Sequence, residues 1–328
     1  MPEIYVVTTS YPQHVGDAQG HFVAAEVRQL GELGNVTVLA PGRERRSLGG
    51  ERVVGLDGGT AFGFPGALQR LRARPLRWLE ASQFVASAVR WLGRAPTPTR
   101  LVAHFLLPCG VPIATRGLGA RVTAVEVVVH GSDARLFAQF PLGRRWLARE
   151  LIRVAARLRF VSSELEQLVL GSLPARERAI LEPRSRVEPC VIEVEGAPSR
   201  ERARRLLDIP SAGRVAVVVA RLVESKRVHV ALEACGRIAG LQSIVVGDGP
   251  QRDELMRRFP NARFVGHVER PLALSYVAAA DVLVSASLHE GAPTVVREAR
   301  ALGTPVVCLD AGDVWRWAAS DTGIHVAR

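Results

Sequence analysis

The chain has 328 residues, 43 basic against 32 acidic for a formal charge of +11, and 48% hydrophobic residues. That length suits two domains with a core each, and the composition is that of a soluble α/β protein. The positive excess is diffuse, with no zinc-finger spacing, RNA-recognition signature or aromatic interleaving, which sets nucleic acid aside and leaves small anionic ligands or an anionic membrane surface.

Glu3 to Thr8 reads as the first strand, followed by a loop with Pro12, Gly16 and Gly20, a helix from His21 to Leu33 and a strand from Asn35 to Ala40. Gly42 to Gly66 is irregular apart from one strand at Arg52 to Leu56, and Leu68 to Leu92 reads as helical, interrupted at Pro75. Leu101 to Phe105 is a buried strand running into AHFLLPCG. Val125 to Val129 is another, and it delivers His130-Gly131-Ser132-Asp133 to its carboxyl end, where parallel sheets bind their ligands. Leu142 to Leu158 reads as one helix, with Arg145, Arg149, Arg153 and Arg157 on one face beside Trp146 and Leu147, Leu151, Val154 and Leu158 on the other. A solvated basic face over a core stripe is the plain reading, and docking on an anionic membrane is the alternative. Ser163 to Leu170 includes a short helix, and after Pro183 the pattern is irregular. GAPS at 196 to 199 reads as a linker, dividing the chain near residue 190 into domains 1–190 and 191–328.

In the second domain Arg214 to Val219 is almost wholly apolar, as a parallel strand covered on both faces must be. It runs into Ala220-Arg221-Leu222-Val223-Glu224-Ser225-Lys226 and a helix from Val228 to Gly240. Lys226 is the only lysine, the other 42 basic residues being arginine, so a compact ammonium stands at this one strand end. Gln242 to Val246 ends in Gly247-Asp248-Gly249-Pro250, and Ala262 to Val265 precedes a helix from Pro271 to Ala280. The chain is organised around the next unit: strand Asp281 to Ser285, turn His289 to Pro293, helix Thr294 to Leu302, stop at Gly303, strand Pro305 to Leu309. Glu290 and Glu298 bracket that turn, so both carboxylates can face one crevice as acceptors for hydroxyl groups. The same spacing would also arise from two solvated glutamates flanking a loop.

The run HEGAPTVVREARALGTPVV resembles the signature of retaining glycosyltransferases of family 4, in the variant that reads Glu-Gly-x-Pro. Three further runs follow in that family's order: the Gly20 loop, His130-Gly131-Ser132-Asp133, and Arg221 to Lys226 with the Gly247 turn. The likeness covers nearly the whole chain and is closest to teichuronic-acid and exopolysaccharide enzymes. It implies the GT-B fold, two Rossmann-like domains facing across a cleft. It also implies sugar transfer from a UDP- or GDP-linked donor to a glycan or lipid-linked hydroxyl, with retention. Arg221 and Lys226 would grip the diphosphate, Glu290 the donor sugar, Glu298 the ribose, and His130 the sugar from the opposite domain. Gly20, Gly247, Gly249, Gly291, Ala292 and Pro293 would line the donor, although a plain turn glycine explains Gly20 as well. His104 reads as structural. No cofactor beyond the donor is expected, and no metal site, since Asp-x-Asp is absent.

Two departures stand out. The family's Pro-Asn-Gly-Ile-Asp segment reads Pro189-Cys190-Val191-Ile192-Glu193 here. Family members also continue past the last strand into helices that this chain lacks, which keeps a non-catalytic nucleotide-sugar binding protein or partner subunit as the rival reading. The four cysteines, Cys109, Cys190, Cys235 and Cys308, are scattered and read as buried small hydrophobes in a reducing compartment. The amino terminus lacks a basic leader and no apolar run approaches the ~20 residues that span a bilayer. The expectation is a cytoplasmic protein, with attachment to the inner membrane face as the added alternative.

Overall fold

The computed structural model describes the chain except residues 15, 43–44, 47–49, 59, 64–69, 72, 117–121 and 328. It divides into two units, Met1–Val191 and Ile192–Arg328. Each is a parallel sheet with helices connecting successive strands, the Rossmann-like plan of the GT-B fold.

The first unit is built from β1 (Glu3–Val7), α1 (His21–Gly31), β2 (Asn35–Pro41), β3 (Arg45–Arg46), β4 (Arg52–Leu56), α2 (Arg77–Arg94), β5 (Arg100–His104) and α3 (Leu106–Arg116). It continues through β6 (Ala124–Val129), α4 (Ser132–Gln139), α5 (Pro141–Arg153), β7 (Arg157–Phe160), α6 (Ser163–Gly171), α7 (Ala175–Leu181) and β8 (Ser185–Val187). Its strand order is β3-β4-β2-β1-β5-β6-β7-β8, parallel throughout except for the β3–β4 pair. β1 lies between β2 and β5, so the order reverses there and opens a crevice at the strand ends. Gly20, Phe105 and His130 follow β1, β5 and β6 at that edge.

The second unit comprises α8 (Arg200–Leu206), β9 (Arg214–Val219), α9 (Val228–Gly236), β10 (Leu241–Val246), α10 (Arg252–Arg258), β11 (Arg263–Gly266) and α11 (Arg270–Ala279). β12 (Val282–Ser285), α12 (Thr294–Ala301), β13 (Val306–Leu309), α13 (Val314–Ala318) and β14 (Ile324–Ala327) complete it. The order β11-β10-β9-β12-β13-β14 is parallel throughout, and the reversal falls between β9 and β12. Both faces of β9 are covered: Val215 and Val217 pack into one cluster with Ile244, Leu283 and Val306, and Val218 into another with Leu222, Val228 and Val245. Each such side chain contributes about 1.5–3 kcal/mol by leaving water. One polar hub ties α8 to the amino-terminal ends of β9 and β12. Arg204 donates to the carbonyls of Ala279, Pro210, Ser211 and Gly213 and to Asp281, whose carboxylate also accepts the Val215 amide.

Two expectations are corrected. The helix expected to run from Leu142 to Leu158 ends at Arg153, because Ala155 takes a left-handed conformation (φ 52°) and reverses the chain into β7. Arg157 and Leu158 are therefore strand residues, and the four-arginine face is broken. Its remaining members are anchored: Arg145 and Arg149 pair with the buried Glu177, while Arg153 pairs with Glu150 and donates to the Ala114 carbonyl. The helical stretch expected over Leu68 to Leu92 with a break at Pro75 is borne out in its described part: residues 70, 71 and 73 are helical, the chain turns at Pro75 and Leu76, and α2 then runs from Arg77 to Arg94, while residues 64–69 and 72 lie outside the described residues. Val306–Leu309 is not the last strand, since β14 extends the sheet beyond it. All four cysteines are buried and unbridged.

Candidate active site

In the second unit the loop after β9 and the turn after β12 meet at the reversal of strand order. Val223 to Lys226 closes as one tight turn, and the Leu288 amide donates to the Ser225 carbonyl at 2.9 Å, joining the two segments. Across this junction the Lys226 ammonium bonds the Glu290 carboxylate, with side chains 15% and 17% exposed. Glu290 is also the opposing charge felt by Arg221, five residues back along the same loop. Two cations and a carboxylate thus converge where a sheet of this order offers its crevice.

Gly247 and Gly249 sit beside that loop. Gly247 has φ 138°, and a Cβ there would fall 1.9 Å from the Ala220 carbonyl oxygen, so only glycine lets the turn after β10 lie against the Arg221 segment. The Leu222 amide then donates to Asp248 O at 2.8 Å, and the Gln251 amide to Leu222 O at 3.1 Å. Gly291, Ala292 and Pro293 form the approach to α12, with Pro293 at its N-cap, so the amides of the first helical turn point outward beside Glu290. Glu298, on the second turn of α12, is 6% exposed. Its Oε1 accepts from Arg270 at 2.6 Å, and the same guanidinium donates to the Glu193 carbonyl.

In the first unit Gly20 caps α1 in a left-handed conformation (φ 71°), and a Cβ there would lie 2.5 Å from the Ser10 carbonyl. His130 stands at the end of β6 between Phe22 and Phe105, ring centroids 5.1 and 4.5 Å away. Its backbone is fixed by Asp133, whose buried carboxylate accepts the amides of Leu106 (2.7 Å), His130 (3.1 Å) and Gly131 (2.7 Å). Burial lifts the Asp133 pKa, and those amides pull against it.

The His130 ring belongs to a buried polar chain. Its Nε2 lies 3.1 Å from Nδ1 of the fully buried His104, and its Nδ1 lies 3.9 Å from Cys190 Sγ. Nε2 of His104 faces Glu26 Oε2 at 3.4 Å, and Glu26 pairs with Arg159. One set of tautomers satisfies the chain: thiol to His130 Nδ1, His130 Nε2–H to His104 Nδ1, and His104 Nε2–H toward Glu26. Both imidazoles are neutral in this arrangement. Burial, joined by the Arg159 charge, holds His104 down to about 3, while burial and the neighbouring His104 hold His130 well below its usual range.

The structure therefore gathers Lys226, Glu290 and Arg221 with Gly247, Gly249 and the approach to α12 in one unit, and Gly20 and His130 at the strand ends of the other. Sequence reading passed over Arg270, Glu26, Arg159 and the thiol of Cys190. Cys190 replaces a motif asparagine and so carried a signal. Arg270, Glu26 and Arg159 carried none.

Residues 213–328 match the family model described as Glycosyl transferases group 1. The chain is 30% identical over 332 residues to TuaC of Bacillus subtilis, a protein named for glycosyl transfer in teichuronic acid biosynthesis, covering 95% of this chain and 82% of that one. It is 31% identical over 233 residues to a GDP-mannose-dependent alpha-mannosyltransferase of Mycobacterium tuberculosis, covering 67% of this chain and 57% of that one. Among solved structures, sucrose-phosphate synthase from Thermosynechococcus elongatus gives a TM-score of 0.74 at 15% identity, covering 99% of this chain and 86% of that one. Anabaena HepE in complex with UDP gives 0.68 at 16% identity, covering 96% and 82%. These structural likenesses speak to the fold. The sequence relationship, continuous along nearly the whole length and reinforced by the domain match over the second unit, places the chain in the group 1 glycosyltransferase family.

Proposed function

We propose that the protein moves a sugar from a UDP- or GDP-linked donor to an acceptor hydroxyl during cell-surface polysaccharide or glycolipid synthesis. The transfer retains configuration at the anomeric carbon and needs no metal ion. The observation that carries this reading is the Lys226–Glu290 ion pair at the junction of the β9 loop and the β12 turn, with Arg221 beside it. As the donor enters, its diphosphate replaces Glu290 as the partner of Lys226. The freed carboxylate then accepts hydrogen bonds from the sugar hydroxyls. Charge developing on the leaving diphosphate is met by Arg221, Lys226 and the amides at the start of α12, placed in advance of the reaction. Glu298 takes the ribose hydroxyls, held in position by Arg270. In the first unit the Nδ1 edge of His130, which faces the Cys190 thiol at 3.9 Å, offers itself to a sugar hydroxyl.

The named activities of the relatives agree with this chemistry, one drawing on GDP-mannose and one structural neighbour holding UDP. A thermal-shift panel of UDP, GDP, ADP and their sugar conjugates tests it. A ligand at a hundred times its Kd adds about 2.7 kcal/mol to stability. One nucleotide should stabilise the wild type and not Lys226→Ala, and equal shifts in both proteins would remove the clamp.

A lipid-linked acceptor is the finer part of the proposal. Trp78, Phe140 and Trp146 are exposed around an apolar cavity of about 290 Å³, with Arg144 on its lining. Leu79 and Leu142 lie exposed nearby in sequence, and no helix among the described residues is long and apolar enough to cross a membrane. Such a basic, Trp-bearing surface suits an anionic bilayer. Anionic liposomes should bind the protein at low salt and release it at high salt, and absence of binding would end this part of the reading.

A further inference from the structure

His104, His130 and Cys190 bring two imidazoles and a thiol together at the carboxyl edge of the first sheet, and one ligand atom from each lies within 4.8 Å of the others. The transfer chemistry makes no use of this set as a set. Zinc binds imidazole at about 2.0–2.1 Å and thiolate at about 2.3 Å in a tetrahedron, which keeps ligand atoms roughly 3.3–3.6 Å apart. The observed contacts are made by different nitrogens of His130: Nε2 lies 3.1 Å from His104 Nδ1, and Nδ1 lies 3.9 Å from Cys190 Sγ. One cation takes only one of them, so the remaining separation, bounded at 4.8 Å, shortens on binding.

The geometry points to a thiophilic divalent-cation site formed by His104 Nδ1, one ring nitrogen of His130 and Cys190 Sγ, with a fourth position open. The surroundings suit it. Glu26 Oε2 lies 3.4 Å from the other nitrogen of His104, the position of the carboxylate that orients a ligating histidine. Two nitrogens and a sulfur select zinc or cobalt over magnesium or calcium. Binding releases the thiol proton, while the proton of His130 moves to whichever ring nitrogen stays unligated. Occupancy also withdraws His130 from a sugar; that consequence rests on the transfer reading, whereas cation binding does not.

The test is titration of chelator-stripped protein with Co(II), following the thiolate-to-cobalt charge-transfer absorption, with Zn(II) as displacing ion. One equivalent should bind. Cys190→Ser should abolish the charge-transfer band and weaken binding at least tenfold, and Glu26→Gln should weaken it by about tenfold. Cys235→Ser, in the other unit, should behave as wild type. His104→Gln, checked for native circular dichroism, serves as the second ligand variant should Cys190→Ser not fold. A wild type without the band, or a band that survives loss of Cys190 or His104, overturns the site.

Discussion

Removing the Arg270 guanidinium takes from Glu298 the cation that holds it at 2.6 Å and from the Glu193 carbonyl one of its donors. The Glu298 side chain is 8% exposed and that of Arg270 16%, so the pair lies largely out of water. Breaking a buried ion pair by deleting one member costs about 3–5 kcal/mol, since the other charge is left desolvated. Water reaching the partly open Arg270 position reduces that, and we expect Arg270→Ala to destabilise the second unit by about 2–3 kcal/mol. Glu298→Gln in the same background should recover more than half of the loss, because the orphaned charge is gone. Urea unfolding of the four proteins in the cycle, followed by circular dichroism and tryptophan emission, gives the coupling energy directly. A coupling below about 0.5 kcal/mol is the value of an exposed pair, and it would refute the argument that Arg270 fixes Glu298. A structural pair alone would leave nucleotide affinity unaltered in any variant that stays folded, so affinity for UDP and GDP is the second readout.

Lys226→Ala should lower turnover by about 10²–10³-fold while leaving the melting temperature within a few degrees of wild type; steady-state kinetics and calorimetry check both. Gly247→Ala places a methyl against the Ala220 carbonyl, and it should destabilise the second unit by at least about 2 kcal/mol in urea unfolding. Acid stability follows Asp281. Burial pushes its pKa up, but the Val215 amide and the Arg200 and Arg204 guanidinium groups outweigh burial and leave it lowered. A carboxyl with a folded pKa below its unfolded value contributes stability above about pH 4, and loses it as pH falls through the folded value. Asp281→Asn should therefore flatten the dependence of stability on pH below about 4 and leave its shape above pH 5 unchanged.

The strand ends were readable because glycine-containing turns follow apolar runs: Gly-Asp-Gly-Pro after β10 and His-Gly-Ser-Asp after β6 mark chain reversals through residue types that few other conformations demand. The end of α5 was not readable. Ala155 takes the left-handed turn without glycine or proline, and Val154, Leu158 and Leu151 keep helical spacing into what is in fact β7. β14 was missed because four residues with one buried side chain carry no apolar run. Pairings across sequence distance were hidden altogether. Arg270 and Glu298 are 28 residues apart, and His130 and Cys190 are 60 apart, so only the fold shows that they meet. Glutamates eight apart could be named as a site by resemblance, but the ion pairs that hold them depend on residues outside the motif.

The most direct test of the account is release of nucleoside diphosphate from UDP- and GDP-sugars by the purified protein, supplied with lipid-linked and free glycan acceptors and with excess chelator present. The account predicts release from one donor class, dependent on acceptor, undiminished by the chelator and lost in Lys226→Ala. Release that persists at the wild-type rate in Lys226→Ala, or none from any donor and acceptor pairing, would contradict it.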